Sequence, residues 1–250
     1  MHHDLPRDAD TKALRSLHAA HLQAVPFENL DIHLGVPLSL DLADLTDKIV
    51  RRRRGGFCYE LNGLFAWLLT SLGYQVTMLG ARVWGGSTFG PPMDHLVLRV
   101  RCVDDPTPWF ADVGFGAHSL YPLRFELRRP QDDPGGVFQV VPGEEGDVDV
   151  LRNGVVQYRI EPHQRGLLDF QAMCWYQQSS PQSPFTRSLV CTIQTLDGRL
   201  TLSDRRLVRT AGAHRSESVV EDDTQLRHAY LTTFGIGLDE LPIPPADRGD

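Results

Sequence analysis

The sequence predicts an α+β chain, and three observations predict it. Helical periodicity is confined to the first third. The middle is rich in β-branched and aromatic segments separated by turn-prone clusters, and the last quarter mixes a hairpin with a single helix. A doubly wound sheet would instead alternate strand and helix throughout. The divisions fall at 1–80 (helical), 81–187 (β) and 188–250 (a small α/β end piece). A chain of 250 residues is long enough for one substantial core or for two to three subdomains.

Each element follows from its local pattern. Leu14, Leu17, His18, His21 and Leu22 share one helical face, and Pro26 ends that run. Leu42, Leu45 and Ile49 predict a helix from Asp41 to Arg53, closed by the cations Arg51 to Arg54, which favour a helix C-terminus. Arg54 has a second reading, as a residue of the site or a phosphate holder. Leu61, Leu64, Phe65, Leu68, Leu69 and Leu72 predict an amphipathic helix, and Gly73 stands where such a helix ends. From about Tyr74, "YQVTMLGARVW", "DHLVLRVRCV" and "WFADVGFG" read as strands, with "GGSTFGPPMD" and "DDPTP" as turns between them. "GVFQVV" and "VVQYRI" extend a small antiparallel sheet or barrel. "QQSSPQSP" reads as a linker. "SLVCTIQTL" and "RLTLSDRRLV" read as a hairpin turning at Asp197-Gly198, and Thr224 to Phe234 as the last helix.

Composition excludes several classes. Apolar residues are 41% and charged residues 23%, values of an ordinary globular protein. The net charge of −7 argues against a nucleic-acid binder despite the Arg51 to Arg54 run. No apolar stretch has the length of a membrane span, and no leader pattern is visible, so no membrane partner is expected. Cys58, Cys102, Cys174 and Cys191 form no C-x-x-C pair, which fits four thiols in a reducing cytoplasm. His18 and His21 have helix-face spacing, but no third ligand accompanies them, so no metal is expected.

One cysteine differs from the others. A cysteine is ordinarily a small buried hydrophobe. In "RRRRGGFCYELN", however, Cys58 follows Gly55-Gly56 and falls in the first turn of the predicted helix. Unpaired N–H groups and the helix dipole stabilise an anion there, which lowers a thiol's pKa and makes it nucleophilic. A cysteine nucleophile needs a base, and the base needs an orienting group. His95 opens an alternating strand, on the face opposite Leu96, Leu98 and Val100. Asp112 lies in a hydrophobic strand, where a carboxylate requires a partner. The two are 17 residues apart, the interval of neighbouring antiparallel strands joined by a loop. "GFGAHS" is a weak match to a dinucleotide fingerprint, because no amphipathic helix follows it. Its glycines suit a loop that admits a pantetheine or pyrophosphate.

"VPFENLD" (Val25 to Asp31), "RGGFCYELN" (Arg54 to Asn62), "HLVLRV" from His95 and "ADVGFG" (Ala111 to Gly116) together resemble the arylamine N-acetyltransferase family, in order and over most of the chain. The resemblance implies a papain-like fold of helical bundle, β-barrel and α/β lid. It implies a Cys58-His95-Asp112 triad and ping-pong transfer of acetyl from acetyl-CoA, through an S-acetyl cysteine, to an arylamine, arylhydrazine or arylhydroxylamine. It further implies donor contacts at Asp94, Gly114, Phe115 and Gly116, and an aromatic cleft lined by Phe27, Phe57, Trp84, Phe115 and Phe185. The same triad also serves an amide synthase of natural-product assembly and a cysteine peptidase or transglutaminase-like enzyme, and a binding module with Cys58 in its core is the non-catalytic alternative. Two positions depart from the family pattern. "MHHDLPRDAD" replaces an opening stretch with a Tyr and an "RIG"-like element, which is expected to leave the first helix shorter or less firmly anchored. Asp94 replaces a small hydroxyl residue before the histidine, which is expected to disfavour the CoA donor.

Overall fold

The computed structural model describes residues 6, 8–125, 129–212 and 214–244. The helices and strands in chain order are α1 (Thr11–Ala24), β1 (Phe27–Glu28), α2 (Leu30–Leu34), α3 (Leu42–Leu45), α4 (Cys58–Ser71), β2 (Gln75–Val83), β3 (His95–Cys102), β4 (Asp105–Ala111), β5 (Leu123–Arg124), β6 (Gln131–Asp133), β7 (Gly136–Pro142), β8 (Val148–Arg152), β9 (Val155–Arg165), α5 (Gln171–Ser179), α6 (Pro184–Arg187), β10 (Val190–Gln194), β11 (Gly198–Ser203), β12 (Arg206–Ala211), β13 (His214–Val219) and α7 (Asp223–Phe234). The fold is α+β with antiparallel sheets, as the sequence predicts. Two compact units are present. One holds the chain through His21, Asn62–Val113 and His118–Leu167; the other holds Leu22–Leu61, Gly114–Ala117 and the chain from Leu168.

The first unit contains an eight-stranded sheet in the order β5-β4-β3-β2-β9-β8-β7-β6. Central β3 buries Leu96, Val97 and Leu98 alike, so both of its faces are covered and the expected alternation is lost. Its partner β4 runs antiparallel, Leu98 opposite Ala111 and Arg99 opposite Phe110, and ends at Ala111, one residue before Asp112. Helix α1 is well anchored, contrary to expectation. Asp10 accepts from Ala13 N–H, Asp104 accepts from the N–H and hydroxyl of Thr11 at 2.9 Å each, and Val103 N–H reaches Ala9 O.

The second unit contains a five-stranded sheet, β1-β10-β11-β12-β13. Leu226, Ala229, Tyr230 and Phe234 of α7 pack with Leu30, Cys191, Ile193 and Leu202 to form its core. The hairpin turn at Asp197-Gly198 is present. "RLTLSDRRLV" forms two strands broken at Asp204, whose φ is +51°. β13 carries "HRSESV", whose single apolar residue, Val219, gives a periodicity reading nothing to follow. The helix expected over Asp41 to Arg53 is α3, capped by the Asp41 carboxylate, followed by a wider π-helical turn over Thr46–Arg51 that buries Lys48 beside Ile49. "QQSSPQSP" is not a linker. It closes α5 and opens α6, with Gln177 and Ser183 buried and bonded to each other at 2.7 Å.

Candidate active site

Helix α4 begins with Cys58 as its first residue. Leu61 N–H donates to Phe57 O at 3.0 Å, and Glu60 Oε2 reaches back to accept from Phe57 N–H at 3.1 Å. This is the Glu half of a capping box. It leaves Cys58 in the turn where the helix's positive end acts on a thiolate. The helix is buried on every side from Cys58 to Ala66 and becomes two-faced only from Trp67 onward. Gly73, at φ +91°, ends it as predicted, with Tyr74 N–H returning to Leu69 O.

A buried ion cluster backs this turn. Lys48 Nζ lies 2.7 Å from both Asp31 and Glu60. Arg54 bonds Glu28 at 2.8 Å and Asp31 at 2.7 Å. Glu28 also accepts from the N–H groups of Leu30 and Gly55. All five side chains are almost wholly buried. Burial alone would favour neutral Lys48, but Glu60, Glu28 and Asp31 outweigh it and raise its pKa. Arg54 is therefore a structural cation, with its guanidinium engaged by two carboxylates. Arg51 and Arg52, by contrast, pair at the surface with Asp47, as cations at a helix end do. A Cβ on Gly55 would strike Pro26 O and the Glu28 side chain, which explains that glycine without any appeal to flexibility.

In the other unit, His95 Nε2 lies 2.7 Å from Asp112 Oδ2, and both residues are buried. Asn62 also engages the carboxylate. Its Nδ2 donates to Asp112 Oδ1 at 2.9 Å and to Leu96 O at 2.7 Å, and its Oδ1 accepts from Val113 N–H at 2.9 Å. Burial pushes the Asp112 pKa up, but the charge of His95 and the hydrogen bonds from His95 and Asn62 overcome it and hold the carboxyl well below its usual range. Tyr158 stands against the same carboxylate. Burial, then the Asp112 charge and hydrogen bond, raise its phenol far above the ordinary value. The ring of His118 lies 5.3 Å from that of Tyr158, and burial lowers its pKa to about 3. Nε2 engages Asp112, so Nδ1 is the other ring nitrogen of His95.

The N-acetyltransferase family model matches residues 10–242 of this chain. The arylamine N-acetyltransferase / N-hydroxyarylamine O-acetyltransferase of Salmonella typhimurium is 34% identical over 92% of this chain and 84% of its own length. A pineal gland arylamine N-acetyltransferase of Gallus gallus is 32% identical over 94% of this chain and 90% of that protein. The chain belongs to the arylamine N-acetyltransferase family. It is accordingly an acyltransferase. Solved members share its fold. The M. smegmatis arylamine N-acetyltransferase superposes with a TM-score of 0.86 at 30% identity, covering 93% of this chain and 88% of that one. The Mycobacterium marinum enzyme in complex with CoA gives 0.84 at 32% identity, covering 92% and 88%.

Within this family fold the aromatic residues singled out from the sequence separate. Phe27 lies 6.1 Å and Phe57 5.3 Å from the ring of Phe185, so these three form one cluster. Phe57 is fully buried beneath it, against Tyr59, while Phe27 and Phe185 are half-buried. Gly116, at φ +87°, lies under the Phe27 ring, and Phe115 beside it is half-buried. Trp84 belongs to the other unit and packs edge-on against Phe89. Asp94 is half-buried in a bend after Met93, at φ +66°, rather than in a strand. Sequence reasoning missed Asn29, whose amide donates to Phe185 O and Ser188 O and accepts from Val190 N–H, fixing the main chain that carries Phe185. It also gave no role to Asn62, although the quoted motif ends on it. Among the described residues, no helix is long and apolar enough to cross a membrane.

Proposed function

We propose that this chain transfers acetyl from acetyl-CoA to an aryl nitrogen by a ping-pong route, with Cys58, His95 and Asp112 as catalytic residues. The observation that carries the reading is the buried 2.7 Å contact of His95 with Asp112, held by Asn62. Cys58 starts the same helix one turn before Asn62, and residues four apart share a helix face. The M. marinum relative's complex with CoA supports the donor.

The steps follow from these side chains. On this reading Cys58 acts as a thiolate with imidazolium His95 as its proton partner, and Asp112 fixes the ring's tautomer and orientation. The thiolate attacks the thioester carbonyl, and the Cys58 N–H at the helix start stabilises the oxyanion. As the C–S bond to CoA breaks, His95 gives its proton to the departing sulfur. The arylamine then attacks the acetyl-cysteine, His95 takes the amine's proton, and the thiolate–imidazolium pair returns. Arylamines, arylhydrazines and arylhydroxylamines suit this cycle, because their nitrogen is mostly unprotonated at neutral pH and their ring fits an aromatic surface such as that of Phe27, Phe115 and Phe185. Gly114 and Gly116 admit the donor's backbone near the reacting sulfur. A reducing cytoplasm keeps the thiol active.

The test is mass spectrometry of the protein after brief exposure to acetyl-CoA without amine. One acetyl group on the peptide containing Cys58, discharged by adding an arylamine, is the expected result. An enzyme that turns over without ever carrying that acetyl group would refute the ping-pong route.

A further inference from the structure

Strand β4 ends at Ala111, so the N–H of Asp112 has passed beyond the ladder of β3. A buried N–H must find an acceptor, and this one finds a side chain. His18, fully buried on α1, accepts from Asp112 N–H through Nε2 at 3.1 Å. Because an N–H only donates, Nε2 carries no proton, and the proton sits on Nδ1, which donates to Leu120 O at 2.9 Å. One imidazole thus ties together the two ends of the 112–120 segment. The Leu120 end is fixed in turn by the Asp133 carboxylate, which accepts from the N–H groups of Leu120, Tyr121 and Gly135. At the other end, Asn62 takes the next N–H, that of Val113. Burial lowers the His18 pKa against the opposing pull of Leu120 O, Asp112 and Asp133, with His21 and His118 the neighbouring imidazoles, so the neutral tautomer persists.

We infer that His18 is a positioning residue for Asp112: by holding the main chain of Asp112 where the strand stops, it sets the angle at which the carboxylate meets His95. This rests on the reading of His95 and Asp112 as catalytic. A carboxylate that orients an imidazole acts within a few tenths of an ångström, and a loose main chain forfeits that alignment. The contact to Asp112, rather than that to Leu120, is the one that bears on the chemistry.

Two amides separate the contacts. In His18→Gln the amide oxygen reaches the place of Nε2 and restores an acceptor for Asp112 N–H. In His18→Asn the shorter amide reaches only the place of Nδ1, toward Leu120 O. Both variants, with Asp112→Asn as control, are assayed for kcat, for acetyl-CoA KM, for the pH profile of Cys58 alkylation by iodoacetamide, and for Tm. His18→Gln is expected to stay within about threefold of wild-type kcat, while His18→Asn loses about tenfold or more with a smaller change in KM. The alkylation profile of His18→Asn shifts to higher pH, because a misaligned Asp112 stabilises imidazolium His95 less. A packing role would lower Tm and leave the profile in place, so equal activities and unshifted profiles in the two variants would overturn the inference. If Asp112→Asn also keeps full activity, the catalytic reading itself falls. If Asp112→Asn is impaired and neither His18 variant is, only the positioning role falls.

Discussion

Asn62 holds Asp112: its amide donates to Oδ1 at 2.9 Å while the rest of the same side chain bonds Leu96 O and Val113 N–H. Removing it takes a hydrogen-bond partner from three buried polar groups at once. Asn62→Ala is expected to cost about 2–5 kcal/mol of stability, since each orphaned group costs about 1–3 kcal/mol and the site relaxes in part. Activity should fall further than the folded fraction alone accounts for, because the carboxylate loses a fixed neighbour. Urea unfolding and kcat measured on the same samples decide the matter, and an unchanged urea midpoint would contradict the network.

The buried histidines give the fold an acid-side weakness. His118, whose pKa burial lowers from 6.5 to about 3, stays neutral in the folded protein, while the unfolded chain takes up the proton below about 6.5. Between those values the unfolded state binds more protons, so stability falls as pH falls, by roughly 1 kcal/mol per pH unit for one such group; above 6.5 the contribution is constant. His18 acts in the same direction. The denaturation midpoint is expected to drop between pH 7.5 and pH 5, and His118→Phe, which keeps a ring against Phe138 and Tyr158, should drop less. Parallel pH slopes for the two proteins would remove His118 from the account.

Lys48 and Glu60 touch, yet removing either charge is not equivalent. Glu28, Asp31 and Glu60 carry three negative charges against the two positive charges of Lys48 and Arg54. Glu60→Gln balances the cluster, and its amide oxygen still accepts from Phe57 N–H, so a loss of about 1 kcal/mol is expected. Lys48→Met leaves three buried carboxylates facing one guanidinium, and about 3–5 kcal/mol is expected. Guanidinium unfolding that ranks the two the other way would show that the cluster is not organised by charge.

Cys58 should react first among the cysteines. Burial pushes the Cys102 thiol up to about 11 and the Cys174 thiol up to about 12, and raises Cys191 well above its usual value. None of the three starts a helix. Peptide mapping after limiting iodoacetamide at pH 7 is expected to find Cys58 modified at least about tenfold faster than the rest. Uniform labelling of all four would withdraw the case for an activated thiol.

How much was legible depended on how local the cause was. Gly73 and the Asp197-Gly198 turn are set by neighbours in sequence, and each stands where the pattern puts it. The approach of Asp112 to His95 could be read from a 17-residue interval and from the cost of burying a carboxylate alone. Lys48, Glu60, Asn62 and His18 were not legible in the same way. Their partners lie up to about a hundred residues away, and nothing in a polar residue's own surroundings announces that it is buried. "QQSSPQSP" misled for a related reason: its polar side chains satisfy one another inside the fold, as Ser183 and Gln177 do, where composition suggests solvent.

Asp94 gives a test of the donor side. If CoA docks beside the bend before His95, as proposed, the Asp94 carboxylate would repel its phosphates through solvent, by about 1 kcal/mol or less, screened by salt. Asp94→Thr is expected to lower the acetyl-CoA KM by about two- to fivefold at low ionic strength, with kcat nearly unchanged and the gain shrinking as salt is added. An uncharged aryl acetate donor should show no such gain. A KM that stays put at low salt would dismiss the repulsion.

Cys58 and Asn62 stand four residues apart on α4, which is sheathed on all sides there. A helix rises about 1.5 Å per residue, so the two are spaced by helical pitch, about 6 Å along the axis. That makes this segment a gauge block within the chain. Insertions and deletions are better absorbed in the bend around 143–147, where added length lengthens a surface turn. A single residue gained or lost between Cys58 and Asn62 would swing one of them about 100° around the axis and, on the proposed role of Cys58, end the chemistry. A library that varies loop length can therefore sample that bend while leaving these five residues untouched.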